Sequence, residues 1–213
     1  MKRLLITCLL AGTLSQSLAD SPYNYPLDDE VNYSLNNYAA SGGVVGAYGG
    51  VAWGTRGLLK NAPYDNAYDR KSSGFMGGLS AGLDHAMNDY VSLGIEAGLQ
   101  YNDAIADSAY GEKFSVFSIP AMVTGKFFIP NTEGLHFVGK AGFAWNRFII
   151  DTPSQKETDK NIGPVIAAGI GFKFHDVAVS LQWQHNWMRY RGKENNYAHI
   201  AVGLTYTFPD DEY

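Results

Sequence analysis

Asn196-Tyr-Ala-His-Ile-Ala-Val-Gly-Leu-Thr-Tyr-Thr-Phe208, close to the end of a 213-residue chain, sorts its side chains by parity. Ala198, Ile200, Val202, Leu204, Tyr206 and Phe208 fall on one side of an extended segment, and His199, Ala201, Gly203, Thr205 and Thr207 on the other. Successive side chains of a strand point to opposite faces, so this stretch predicts a strand with one oily face and one small, polar face. Seven earlier segments repeat the alternation, and a closed barrel would pair this last strand with the first.

The same parity runs near Val44 to Arg56, Gly74 to His85, Val91 to Tyr101, Phe114 to Phe128, Leu135 to Phe148, Pro164 to Phe174 and Val177 to Trp187. The third is the clearest: Val91, Leu93, Ile95, Ala97, Leu99 and Tyr101 oppose Ser92, Gly94, Glu96, Gly98 and Gln100. Pro120 interrupts the fourth. A closed barrel has no free edge to absorb a missing donor, which predicts a bulge there or a position above the bilayer. Short connections (Ala86 to Asp89, Pro130 to Gly134, His175-Asp176) alternate with longer ones (Gly57 to Ser73, Asn102 to Lys113, Asp151 to Gly163, Met188 to Asn195). The fold class is therefore all-β: an eight-stranded antiparallel up-and-down transmembrane β-barrel with short periplasmic turns and longer extracellular loops.

Residues 1–19 read as a cleaved signal peptide: Lys2 and Arg3, an apolar run from Leu4 to Leu14, and Ser17-Leu18-Ala19 before Asp20. The single cysteine, Cys8, lies inside it, so the mature chain has no disulfide. Residues 20–42 form an acidic N-terminal periplasmic segment around Asp28-Asp29-Glu30, expected to be a disordered or loosely docked tail. The barrel covers 43–208 and an acidic tail 209–213. Loss of Lys2 and Arg3 takes the formal charge from −5 to −7, which argues against a nucleic-acid partner. Past the signal no apolar run reaches the eighteen residues of a membrane helix. The five histidines show no metal-ligand spacing, so neither metal nor cofactor is expected.

A lipocalin is also an eight-stranded barrel, with its oily parity turned inward. The charges decide between the two. No charged residue falls mid-strand on the oily parity, where a cation at bilayer mid-depth would cost roughly 2–4 kcal/mol. The other parity carries Asp84, Glu96, Lys126, Lys140 and Lys173. Trp53, Trp145, Trp183 and Trp187 lie toward the long-loop end. Phe127, Phe137, Phe172, Phe174, Tyr206 and Phe208 lie toward the short-turn end, as two interfacial belts would. Basic residues outside the lumen all fall at the long-loop end, while the short turns and tails hold Asp89, Glu133, Asp176, Asp210, Asp211 and Glu212. Arg56, Arg147, Arg189 and Arg191 are candidate contacts to lipopolysaccharide phosphates, since arginine grips phosphate in a bidentate fork; solvated loop charge is the alternative.

The runs Gly49-Gly50-Val51-Ala52-Trp53-Gly54, Ser118 to Phe128, Val138 to Ala144 and Val202 to Phe208 resemble the outer-membrane protein A-like and opacity-protein-like superfamily of eight-stranded barrels. The resemblance covers about Gly43 to Phe208. It implies that the final strand, with Leu204, Tyr206 and Phe208 on one parity, is the signal read by the barrel-assembly machinery. This chain departs by adding Pro209-Asp-Asp-Glu-Tyr213, so either Phe208 serves internally or Tyr213 supplies the terminal aromatic; the parity favours Phe208.

A lumen of eight strands is only wide enough to hold side chains. Glycines such as Gly78, Gly94, Gly98, Gly142 and Gly203 leave room for Tyr48, Gln100, Lys126, Lys140 and Gln182, predicting a plugged interior. Buried ions need partners, so Glu96 is matched with Lys140, and Asp84 with Lys126 or Lys173. No catalytic residue is assigned. A barrel deacylase would want a His-x-Ser pair on the lipid-facing rim, and His185-Asn186-Trp187 lacks the serine; an omptin-like protease would need two more strands. The expected protein is a non-enzymatic monomer in the Gram-negative outer membrane, a structural or surface-interaction barrel of the adhesin or opacity kind. Its partners are outer-membrane lipid and lipopolysaccharide, with a host or cell-surface ligand reached through loops such as Pro63-Tyr64-Asp65-Asn66-Ala67-Tyr68-Asp69. A small passive porin-like channel is the alternative.

Overall fold

The computed structural model describes residues 39–54, 73–107, 113–132, 134–151, 156–190 and 193–209. The expected signal peptide, most of the acidic N-terminal segment, the Pro63 to Asp69 stretch, Arg56, Arg191 and Tyr213 lie outside the described residues. Eight strands follow one another: β1 (Gly42–Gly54), β2 (Ser73–Asn88), β3 (Val91–Asp107), β4 (Lys113–Phe128), β5 (Leu135–Asp151), β6 (Lys156–Phe174), β7 (Val177–Tyr190) and β8 (Lys193–Pro209). Each pairs antiparallel with its sequence neighbour, and β8 returns to β1 with Gly43 opposite Phe208 and Gly54 opposite Tyr197, which closes the barrel.

The parity points as the charge argument requires. Ile95 is 59% exposed and Leu204 48%, whereas Gln100 on the other parity of β3 is 1% exposed. The oily residues therefore form an outer wall, and Glu96 and Lys140 meet each other inside. An outer surface of this kind is stable only against hydrocarbon, because water would leave every one of these side chains solvated.

Local chemistry sets the tight ends. At the β2–β3 turn the Asn88 side-chain oxygen accepts from the Tyr90 and Val91 amides at 2.9 and 2.9 Å, an Asx turn. Asn131 and His175 take left-handed backbone conformations in the other two turns. Gly134, at φ 106°, has no alternative: a Cβ there would stand 2.0 Å from the Lys173 carbonyl oxygen.

The structure departs from the sequence reading in two places. Pro120 makes no bulge. The pairing of β3 with β4 lapses between Ala97↔Ala121 and Gln100↔Ser118 and resumes in the same register, while β4 stays paired with β5 straight through Pro120↔Ala144. The missing N–H thus interrupts one ladder locally, and the ring turns inward among buried groups. Second, in three of the four stretches expected as long outer loops, 102–113, 151–163 and 188–195, most of the chain is strand. β3, β6, β7 and β8 all run past their expected outer limits, leaving only 108–112, 152–155 and 191–192 between the hairpins they form. Of the acidic segment, expected as a disordered or loosely docked tail, the described residues 39–41 are docked. The Ala39 amide donates to the Asp89 carbonyl at 3.2 Å and the Ala86 amide to the Ser41 hydroxyl at 3.0 Å, against the β2–β3 turn.

Arginine substituted at Ile95, midway up the outer wall, is expected to lower stability by roughly 2–4 kcal/mol. Denaturant titration of the barrel folded in lipid vesicles, followed by heat-modifiable gel mobility, measures this; a change under 0.5 kcal/mol would contradict the outward assignment.

Candidate functional site

The inward parity builds a column of side chains in four layers. At the periplasmic end Asp84 receives a hydrogen bond from the Lys126 ammonium. The Lys173 ammonium lies 6.0 Å above the Phe128 ring centre, within reach of its negative face. Of the two partners expected for Asp84, the structure selects Lys126. Its neighbour His136 shares a hydrogen bond with the Gly134 carbonyl at 3.0 Å.

At mid-height Lys140 donates to both Glu96 oxygens, at 2.9 and 2.8 Å. Tyr48 lies across the lumen over Gly78, where a Cβ would come 2.5 Å from the tyrosine ring; the absence of a side chain there makes the space the phenol fills. Above this lies a polar band. Ser118 donates to Asn146 at 2.7 Å and shares a 2.9 Å hydrogen bond with the Tyr197 hydroxyl. The Gln100 amide donates to Asn102 at 3.1 Å, lies 3.3 Å from the His199 ring nitrogen, and accepts from Gln184 at 3.2 Å. His199 is thus bound into interior polar groups, as its parity suggested.

The outermost layer is apolar. Met76, Phe114, Val116, Phe148, Met188 and Tyr197 are buried against one another, with Phe114 and Phe148 rings 5.4 Å apart, and Tyr48 and Ile150 pack on the cluster. This cap was missed in the sequence. Its signal is present: Phe114 and Phe148 end the expected fourth and fifth strands on the inward parity, and Ile150 and Met188 continue that parity beyond the expected limits.

Among the described residues a void of about 30 Å³ lies inside beside Tyr48, Glu96, Lys140 and Gln182. A second void, of about 10 Å³, lies beside Asp84, Lys126 and His136. The first holds about two waters and the second at most one. No group of three or more metal-ligating side chains occurs among the described residues.

On the outer rim the exposed arginines Arg147 and Arg189 face away from the lumen. Arg147 pairs in register with Lys160, and Trp145, two residues below it, with Ile162. His185 sits on the outer wall between Trp183 and Trp187, its ring 5.8 and 4.4 Å from theirs, with Ile166 and Ala198 opposite it in register. That setting places no serine beside its imidazole.

Residues 6–208 match the family model described as outer membrane protein beta-barrel domain. No curated protein matches the chain by sequence. Among solved structures it is similar to Neisserial surface protein A (NspA), with 17% identity, 79% of this chain and 99% of that one covered, and a TM-score of 0.59. The outer membrane protein OprG from Pseudomonas aeruginosa is similar at 11% identity, with 81% and 99% covered and a TM-score of 0.51. At such identities these likenesses show the fold.

Lys140→Met, which strands the Glu96 carboxylate in the lumen, is expected to cost about 3–5 kcal/mol. Adding Glu96→Gln should recover most of that loss. Denaturant unfolding of both variants in vesicles reads the difference, and equal losses in single and double variants would show that the pair is not coupled.

Proposed function

The chain belongs to the outer membrane protein beta-barrel domain family, and from that membership we propose a plugged, non-enzymatic barrel that acts through its outer surface as a structural or surface-interaction protein. The observation that carries this reading is the filled lumen. Two ion pairs, a polar band and an apolar cap occupy the inward parity, and the remaining voids of about 30 and 10 Å³ are water-sized pockets rather than a path. An ion crossing would have to displace the Glu96–Lys140 pair and then pass a layer of phenylalanine and methionine with no ligand for it. The chemistry of the protein is then what its wall and its projecting hairpins present to lipid and to the medium.

Two further features support parts of this reading. His185 on the outer wall is flanked by tryptophans and has no nucleophile in register, which supports a role in the interfacial aromatic belt rather than in hydrolysis. Leu204, Tyr206 and Phe208 face outward on the strand that closes against β1, the last two with rings 4.8 Å apart. An exposed aromatic row on the closing strand suits recognition by the barrel-assembly machinery before closure.

Purified protein inserted into a planar lipid bilayer is expected to give no steady unitary conductance. Reproducible openings would overturn the plugged reading in favour of a small passive channel.

A further inference from the structure

The ladder between β6 and β7 ends at Val165↔Asn186, yet β6 continues outward to Lys156 and β7 to Tyr190. Over that stretch each strand stays paired on its other side, β6 to β5 as far as Asp151↔Lys156 and β7 to β8 as far as Tyr190↔Lys193. Pro164 stands where the ladder stops, and it has no N–H to offer. The two hairpins still touch. A Cβ on Gly163 would lie 1.8 Å from the Trp187 carbonyl oxygen, and the Asn161 amide donates to the Arg189 carbonyl. The result is a seam in the barrel wall held without backbone pairing among the described residues. Along it runs a groove of about 470 Å³ lined by Ile162, Pro164, Trp187, Met188 and Asn196.

The outer wall around the groove is ordered by height. Trp145 and Ile162 face each other across β5 and β6, and Trp187 lines the groove on β7; this is the level of the outer aromatic belt. Two residues further out on the same three strands stand Arg147, Lys160 and Arg189, all exposed. Two residues of strand are about 6.8 Å, the step from acyl chain to headgroup phosphate. Glu194 lies opposite Arg189 in register and the Asp159 carboxylate accepts from the Lys160 amide at 2.8 Å, so three cations stand against two acids. Asn196 lines the groove, and its side-chain oxygen is buried.

We propose that this seam binds one acylated, phosphate-bearing lipid of the outer leaflet, lipopolysaccharide in a Gram-negative outer membrane. One acyl chain lies in the groove over Ile162, Pro164 and Trp187, and a phosphate rests on Arg189, Lys160 and Arg147. The apolar groove alone would accept any chain; the cationic layer one step above it selects the anionic lipid. This inference rests on the outward placement of the wall and is independent of whether the lumen conducts.

The test uses the full mature chain folded in zwitterionic detergent, with native mass spectrometry counting retained lipid. The probes are diphosphoryl lipid A, its dephosphorylated form and phosphatidylethanolamine. One lipid A should be retained, with the other two held at least tenfold more weakly. R147Q/K160Q/R189Q and Ile162→Asn should each weaken lipid A at least tenfold while gel mobility shows a folded barrel. Equal retention of the three lipids, or unchanged retention by the charge variant, would overturn the proposal. Should the triple variant fail to fold, single-tryptophan forms keep it testable. Brominated lipid A should quench a form retaining only Trp187 saturably and one retaining only Trp53 weakly, and equal quenching of both would count against the site.

Discussion

Hydrocarbon offers no hydrogen-bond partner, so every backbone amide and carbonyl at membrane depth must be satisfied within the chain. The pairing of β8 with β1, from Gly43↔Phe208 to Gly54↔Tyr197, meets that requirement by leaving no edge strand. Closure in turn fixes the rest. It allows one parity to face acyl chains all round, forces the other into a lumen filled by side chains, and requires whatever ions are carried inside to find each other. The ladder tolerates a gap at Pro120 because β4 remains fully paired to β5 there and the ring is sheltered inside.

The two sides of the wall obey opposite rules. Outside, Leu79, Ile95 and Phe143 are among the most exposed residues of the chain and cost nothing in lipid. Inside, a large side chain is accommodated only where its neighbour is small, as Tyr48 is over Gly78. Ions inside are admitted in pairs. The bidentate bond of Lys140 to Glu96 and the Lys126–Asp84 contact offset a desolvation penalty of several kcal/mol per ion. The lumen is therefore packed as a core is packed, with polar and charged groups admitted where their partners stand opposite.

Beyond the outer aromatic belt the constraint changes again. The strands outlast the bilayer and project as paired hairpins, and their inward faces turn apolar, with Met76, Phe114, Phe148 and Met188 closing the barrel as the core of a water-soluble domain would. At the level of the belt itself the wall loosens at Pro164, and β6 and β7 run on side by side without a ladder. Cationic side chains first appear on the outside one step beyond that loosening.

The sequence by itself determined the all-β barrel, its eight strands, the direction of each face and the pairing of Glu96 with Lys140. These depend on period-two alternation and on the cost of unpaired charge, which are properties of neighbouring residues along one strand. Strand registers, the docking of Ala39 to Ser41 under the β2–β3 turn, the choice of Lys126 over Lys173 for Asp84, and the apolar cap were decided by the tertiary structure. Each depends on which residues of different strands stand at the same height. So does the seam, because Pro164 read alone marks only the start of a strand. Its consequence appears when β7 is seen to pass beside it with a carbonyl where a partner N–H is missing. Alternation is local and legible, whereas relative height is set by the stagger of a closed sheet, which no single segment encodes.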